Sequence, residues 1–288
     1  MTERYPLITL NNDIKMPIIG YGVFRIPAKE TANLVETAIT KGYRLIDTAA
    51  AYRNEKQVGE GIRRSGIDRS KLFVTTKLWI RDFGYDTAMQ AFDLSMSKLG
   101  LEYLDLYLIH WPVPSHYDST VASYKAMEKL LADGHIRAIG VSNHTTAHLA
   151  NLIERTEVVP TVNQVELHPF FAQKKLRDTH AKRNIVTQAW SPIGGVLRYS
   201  ADDPDAVQNP LNHPTIVKLA KKYGKTPAQL ILRWHIEHGI SVIPKSVRPE
   251  RIAENIDIFD FTLSAEDIAA VDALDTGMRG GPDPETFS

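Results

Sequence analysis

Eight short apolar runs, most of them closing on a side chain able to do chemistry, constrain this chain more than any other feature. In order they are PIIGYG (17–22), YRLIDT (43–48), KLFVTTK (71–77), YLDLYLIH (103–110), IRAIGVSN (136–143), TVNQVELH (161–168), NIVTQAW (184–190) and ISVIPKS (240–246). Each is a continuous stretch of Ile, Leu, Val and Tyr rather than a strict alternation, which is how a strand buried on both faces reads. Segments of helical period lie between them. AKETANLVETAITKG (28–42) sets Leu34, Val35, Ala38 and Ile39 on one face and stops at Gly42. DTAMQAFDLSMSKLG (86–100) repeats the pattern with Met89, Phe92, Met96 and Leu99. Thr226-Pro227 opens TPAQLILRWHIEHG with a cap residue and a first-turn proline.

Eight strands alternating with helices predict a (β/α)8 barrel, an α/β fold with the whole chain, 1–288, in one domain. Run ends recur every 22 to 33 residues up to position 190, one βα unit each, and the longer gap from 190 to 245 predicts an added loop and helix. ITLNNDIKMP (8–17) reads as a β-hairpin ahead of the barrel, and further helices follow near the C-terminus. The rival is a doubly wound open sheet. It needs a glycine-rich fingerprint after its first strand, and Gly20-Tyr21-Gly22 is followed by Val-Phe-Arg with no third glycine.

Composition narrows the function. The 34 Lys+Arg balance 34 Asp+Glu, so the basic excess that a nucleic-acid binder uses against phosphates is missing. With no cysteine, a disulfide scaffold, a thiolate nucleophile and a Cys-ligated metal are excluded. MTERYPLITLNND has no apolar signal-peptide core, and no run approaches the ~18 residues of a membrane span, so a cytoplasmic protein is expected. Neutral charge and the lack of heptads point to a monomer.

In such a barrel the catalytic groups stand at the C-terminal ends of the strands, where the βα loops converge. Asp47, Lys77, His110, Ser142, Asn143, Gln164, His168, Trp190 and Lys245 end the runs, and Tyr52 lies just past Asp47. Asp47, Tyr52, Lys77 and His110 make a proton-transfer set. A free tyrosine is a weak acid at neutral pH. A nearby ammonium is expected to lower its pKa, with a carboxylate keeping that ammonium charged. His110 can donate to a carbonyl from the other side. Taken singly, each of these residues reads more readily as packing or as a buried structural pair; together on adjacent strand ends they predict protonation of an oxygen whose carbon receives hydride.

Other features are two-sided. Lys245, Arg248 and Arg251, beside Ser246 and a helix beginning near Pro249, read equally as a phosphate site and as a solvated charged loop. Trp190 offers either a stacking face or core packing. His144 and His148, four apart, read as a surface helix pair rather than a metal site, since no third ligand stands nearby. Glu166 and His168 read as supporting groups.

At these residues the sequence resembles the aldo-keto reductase family. GYRLIDTAAAYRNEKQVG (42–59), LDLYLIHWP (104–112), GVSNH (140–144) and IPKSVRPERIAEN (243–255) carry the resemblance, which runs from the hairpin to a helix near 264–274. It implies a barrel binding NADPH (or NADP+), with Tyr52 as general acid, Asp47 and Lys77 tuning it, and His110 orienting the substrate carbonyl. Ser142, Asn143 and Gln164 would hold the nicotinamide amide, with Trp190 on the ring. Ser191, Pro192, Gly195 and Leu197 would lie over the pyrophosphate. Lys245, Ser246, Arg248 and Arg251 would grip the 2′-phosphate, with Glu254 and Asn255 on the adenine and Ile243 and Val247 also among the cofactor contacts.

Within the family the chain is most similar to the bacterial 2,5-diketo-D-gluconate reductase-like branch, for its Trp190 and its short tail GMRGGPDPETFS. That tail is expected to leave the pocket largely unwalled. Phe24, Trp79, His110 and Trp111 would then line an open site for small aldehydes, keto-sugars or α-dicarbonyls. The competing expectation is a barrel that binds cofactor without turnover; the intact Asp47, Tyr52, Lys77 and His110 favour the enzyme.

Overall fold

A computed structural model of the chain describes residues 5–194 and 209–288. The hairpin is present as β1 (Leu7–Thr9) paired antiparallel with β2 (Lys15–Pro17). Eight parallel strands follow: β3 (Gly20–Gly22), β4 (Leu45–Asp47), β5 (Phe73–Leu78), β6 (Leu104–Ile109), β7 (Ile136–Ser142), β8 (Val162–Glu166), β9 (Val186–Trp190) and β10 (Ser241–Val242). Each pairs with its chain neighbour, and a parallel bridge between Ile19 and Val242 joins the last strand to the first. The sheet therefore closes into a barrel, which leaves no edge to protect and removes the open-sheet alternative.

Helices return the chain between strands: α1 (Ala28–Lys41), α2 (Glu55–Arg64), α3 (Tyr85–Leu99), α4 (Tyr117–Ala132), α5 (Thr146–Arg155) and α6 (Lys174–Lys182). The long 190–245 interval carries α7 (Pro214–Lys222) and α8 (Pro227–Glu237), and α9 (Pro249–Ile256) and α10 (Ala265–Asp272) follow the barrel. Punctuation read in the sequence acts as expected. Gly42 ends α1 at φ 112°, its N–H reaching the carbonyls of Ala38 and Ile39. Gly100 ends α3 at φ 64°. The Thr226 hydroxyl accepts from Gln229 N–H in a capping box that opens α8.

The apolar residues form two bodies. The larger packs the outward faces of the strands against the helices. The smaller fills the barrel interior with Leu45, Phe73, Leu106, Leu108, Ala138, Val162 and Ile243, and the hairpin residues Leu10 and Met16 plug it from below. Successive strand residues alternate faces, so those two positions on from these interior residues also point inward, one layer higher. That upper layer contains Asp47, Thr75, His110 and Gln164, with Lys77, Ser142 and Glu166 two residues further along their strands. The chemistry-bearing side chains gather above an apolar floor because a parity of two along each strand puts them there.

Candidate active site

At the centre of the upper layer Lys77, fully buried in β5, donates from Nζ to Asp47 Oδ1 at 2.6 Å and to the Thr48 carbonyl at 2.8 Å. Its Nζ is 3.5 Å from the phenol oxygen of Tyr52, which sits at the end of a 3-10 turn, Ala50–Tyr52. Asp47 Oδ2 accepts from Gln164 Nε2 at 2.7 Å, and the same Nε2 donates to Gln188 Oε1 at 2.7 Å. Gln188 in turn donates to Ser241 Oγ at 3.0 Å, so the carboxylate is braced from across the barrel.

Burial pushes the Asp47 carboxyl up and the Lys77 ammonium down, and their ion pair opposes both shifts. Tyr52 corrects the sequence expectation. Burial, and then the Asp47 charge, push the phenol well above its ordinary value rather than below it. The ammonium is in direct contact with the carboxylate and 0.9 Å further from the phenol (3.5 against 2.6 Å), so its charge is largely spent on Asp47. The phenol holds its proton at neutral pH.

His110 follows β6, with its ring edge-on to Tyr52 at 5.7 Å and to Trp79 at 5.2 Å between centroids. Burial, reinforced by Lys77, lowers its pKa well below the usual value, so the imidazole is neutral. Its Nδ1 is buried with no hydrogen-bond partner among the described residues. Phe24, half exposed, lies 5.0 Å from Tyr52, and Trp111 stacks near His110 at 6.5 Å.

The tail overturns the expectation of an unwalled pocket. Phe287 stacks on Trp111 at 4.0 Å and 19° and stands 6.1 Å from Trp79. A short tail suffices because it turns on itself: the N–H groups of Thr286 and Phe287 both reach the Asp283 carbonyl. Sequence reasoning missed Phe287, whose only forewarning was the Gly280-Gly281 pair that lets the backbone approach closely.

On the opposite side Trp190, half-buried at the end of β9, donates from Nε1 to Asn143 Oδ1 at 2.8 Å. Asn143 donates to the His110 carbonyl at 3.0 Å and to Ser142 Oγ at 3.1 Å, and Ser142 donates to the Gln164 carbonyl at 2.7 Å. Asn143 holds this position at φ 62°, a left-handed conformation that asparagine tolerates. The groups expected to grip a cofactor amide are thus already fastened to each other. Oε1 of Gln164 has no hydrogen bond among the described residues and remains as an acceptor.

Beyond β10, Lys245 and Arg248 are exposed around the start of α9, Arg251 lies in its first turn, and Arg248 is its N-cap residue. None of the three is in an ion pair among the described residues. Burial and the neighbouring Arg25 lower the Lys245 pKa. Ile243 is buried in the interior body, Val247 is exposed, and Ser246 accepts from Tyr21 through its carbonyl at 2.6 Å. Glu254 accepts from the Thr226 hydroxyl at 2.7 Å, which ties the adenine-side expectation to α8, and Asn255 is buried. Ser191 and buried Pro192 follow β9, while Gly195 and Leu197 lie outside the described residues.

His144 and His148 are not a surface pair. His144 is fully buried and bonds the Ser142 carbonyl through Nδ1 at 3.0 Å. His148 completes a capping box with Thr145 at the start of α5. Glu166 and His168 form a buried pair at 3.1 Å.

Residues 19–276 match the model of the aldo/keto reductase family. The chain is 54% identical over 285 residues to morphine 6-dehydrogenase of Pseudomonas putida, covering 99% of this chain and 96% of that one. It is 46% identical over 286 residues to glyoxal reductase of Bacillus subtilis (strain 168), covering 99% and 98%. Its fold is similar to the crystal structure of a Bombyx mori aldo-keto reductase in complex with NADP, with a TM-score of 0.90, 36% identity and coverage of 98% and 96%.

Proposed function

The chain belongs to the aldo/keto reductase family, and from that premise we propose that it reduces small aldehydes and ketones to alcohols with NADPH, with Tyr52 as the general acid. The observation that carries this reading is the phenol of Tyr52 held 3.5 Å from Lys77 Nζ of the buried Lys77–Asp47 pair, with the rings of Phe24 and His110 beside it.

The residues fit the cofactor on the chemistry of the donor set. Lys245, Arg248 and Arg251, with Arg25 close by and none of the first three in an ion pair among the described residues, concentrate positive charge at the start of a helix, where an anion is stabilised. Those cations would take the phosphate end, Trp190 would lie on the nicotinamide, and Gln164 Oε1 would accept from its amide. Ser191 and Pro192 stand where the chain leaves β9 toward the same face. When bound, NADPH supplies the hydride that the carbonyl carbon receives.

The protein's own contribution is to orient and to protonate. Tyr52 and neutral His110 present two polar groups to one carbonyl oxygen, and the aromatic walls hold its carbon in place while excluding water. As negative charge develops on that oxygen, Tyr52 transfers its proton there, and the Lys77 ammonium at 3.5 Å stabilises the phenolate left behind. Asp47 keeps that ammonium charged in a buried position where it would otherwise lose its proton.

The pocket walls suit planar substrates. Phe24, Trp79, Trp111 and Phe287 make a slot that favours α-dicarbonyls such as methylglyoxal and phenylglyoxal, or a keto-sugar, over a bulky steroid ketone. NADPH oxidation followed at 340 nm against these compounds, a diketogluconate and a steroid ketone tests the reading. Turnover of the dicarbonyls above the steroid is the expected result; tight NADPH binding without turnover of any carbonyl would instead leave a cofactor-binding barrel.

The cations make a separate prediction. Arg248→Ala should weaken NADPH binding about tenfold, the worth of one charge-assisted hydrogen bond. NADH binding should not change, and the salt dependence of NADPH binding should flatten. Equal losses for both cofactors would show that Arg248 does not meet the 2′-phosphate.

A further inference from the structure

Glu166 ends β8 with its carboxylate fully buried, and the chemistry above gives it no task. Its partners come from the tail. Oε1 accepts from Gly280 N–H at 2.6 Å and lies 3.1 Å from His168 Nε2, while Oε2 accepts from Gly281 N–H at 2.9 Å. Arg279 Nη1 stands 3.9 Å away, its guanidinium lying over the Phe171 ring. Burial alone would push this carboxyl up; His168 and the two amides outweigh it and hold it below its ordinary value. It is therefore an ionised clamp on two consecutive backbone N–H groups.

What the clamp fixes lies on both sides of the pocket. A methyl group on Gly281 would come within 2.6 Å of Trp190 Cη2 and 3.0 Å of Glu166 Oε2, so the bare backbone lies directly against the edge of the indole. The other end of that indole is tied to Asn143 at 2.8 Å. From Gly281 the chain passes through the Asp283 turn, brings Glu285 Oε2 to 3.5 Å from His148 Nε2, and ends with Phe287 on Trp111. One carboxylate anchored on a barrel strand thus sets the start of a segment that backs Trp190 and finishes as the pocket wall.

We propose that Glu166 is a positioning residue: by clamping Gly280 and Gly281 it sets Trp190 and Phe287 together, coupling cofactor affinity to selection of ring-bearing carbonyls. What Trp190 and Phe287 touch rests on the reductase reading, whereas the clamp on the tail does not. Glu166→Gln keeps the side chain's size but turns an N–H donor toward amides that are themselves donors. Residues 280–288 contain no Lys or Arg, so trypsin reports the tail through the single Arg279–Gly280 bond.

In the full-length protein, Glu166→Gln should be cut at that bond about tenfold faster than wild type, as loss of charge-assisted hydrogen bonds implies. The NADPH Kd and the KM for phenylglyoxal should each rise by about the same factor, with kcat and the KM for methylglyoxal near wild type. Phe287→Ala should raise only the phenylglyoxal KM. Gly281→Ala keeps the carboxylate but drives a methyl into Trp190, and should weaken NADPH binding and raise the phenylglyoxal KM together; it decides the matter if Glu166→Gln does not fold. The proposal is overturned if both variants lose thermal stability while the tryptic rate, the NADPH Kd and the ratio of the two KM values stay at wild type. Should the wild type bind NADPH yet reduce no carbonyl, the reductase reading fails, and the tryptic and NADPH-binding arms still decide the clamp.

Discussion

Tyr52→Phe is expected to lower kcat/KM for carbonyl reduction by about 10²–10⁴-fold, the range a positioned general acid supplies. The loss should fall on kcat, because the hydroxyl acts as charge develops on the substrate oxygen. Folding and cofactor affinity should be preserved. The phenyl ring keeps its contacts with Phe24 at 5.0 Å and with His110 at 5.7 Å, and among the described residues the only hydrogen bond lost is the long one from Lys77, at 3.5 Å. The sign of the pKa shift adds a second expectation. Burial and Asp47 raise the phenol's pKa, so its acid form is complete below the ordinary tyrosine value and is lost only as pH rises through the raised one. Tyr52 should therefore impose no fall in reduction rate as pH is raised toward about 10. Steady-state kinetics across pH, with NADPH binding measured by fluorescence, check both points. A variant that keeps more than about a tenth of wild-type kcat would remove Tyr52 from the acid's role.

The second large effect is on stability. Lys77→Met should cost about 3–5 kcal/mol, the penalty for leaving one member of a buried ion pair without its partner. Asp47 is almost fully buried, and among the described residues Gln164 Nε2 would be the one side-chain donor left to its carboxylate. Lys77→Met also strips the Thr48 carbonyl of its Nζ donor. The double variant Asp47→Asn with Lys77→Met should recover much of the lost stability, because the amide oxygen can still accept from Gln164 and no charge remains buried. Neither variant should turn over, since the phenolate would lose the Lys77 ammonium that stands 3.5 Å from its oxygen. Urea unfolding of the two single variants and the double variant measures the coupling. A Lys77→Met loss below about 1 kcal/mol would place the pair nearer to the solvent-screened regime than its burial indicates.

The two effects separate what the pair does. Stability reads the cost of an unpaired buried charge, while turnover reads the ammonium's position beside the phenol. Activity alone could not distinguish them, since an unfolded protein is also inactive.

Much of this site was legible along the chain. The barrel strands are short, continuous and apolar, and most of the runs close on or next to a residue that the structure places above the apolar floor. Asp47, Lys77, His110, Gln164 and Trp190 could be named because barrel strands deliver their C-terminal ends to one face. The helix stops at Gly42 and Gly100 and the cap at Thr226 were legible for the same reason: they depend on a few adjacent residues.

What depended on distance through space was not legible. The direction of the Tyr52 shift turns on Lys77 lying closer to Asp47 than to the phenol, a difference of 0.9 Å (3.5 against 2.6 Å) between residues 25 to 30 apart in the chain. His144 and His148 read as a surface pair because their spacing is helical, yet α5 begins only at Thr146 and both rings pack inward. The tail read as too short to matter, because its length says nothing of the Glu166 carboxylate waiting 114 residues away in sequence to anchor it.

By itself, then, the sequence determined the barrel and which side chains stand at the ends of its strands, since strand parity and the βα repeat are periodic and local. Tertiary structure alone decided how those groups are charged, which of them spend their hydrogen bonds on one another, and that Phe287 walls the pocket. Those outcomes depend on burial and on distances of a few ångströms between segments far apart in the chain, where neither composition nor spacing carries the information.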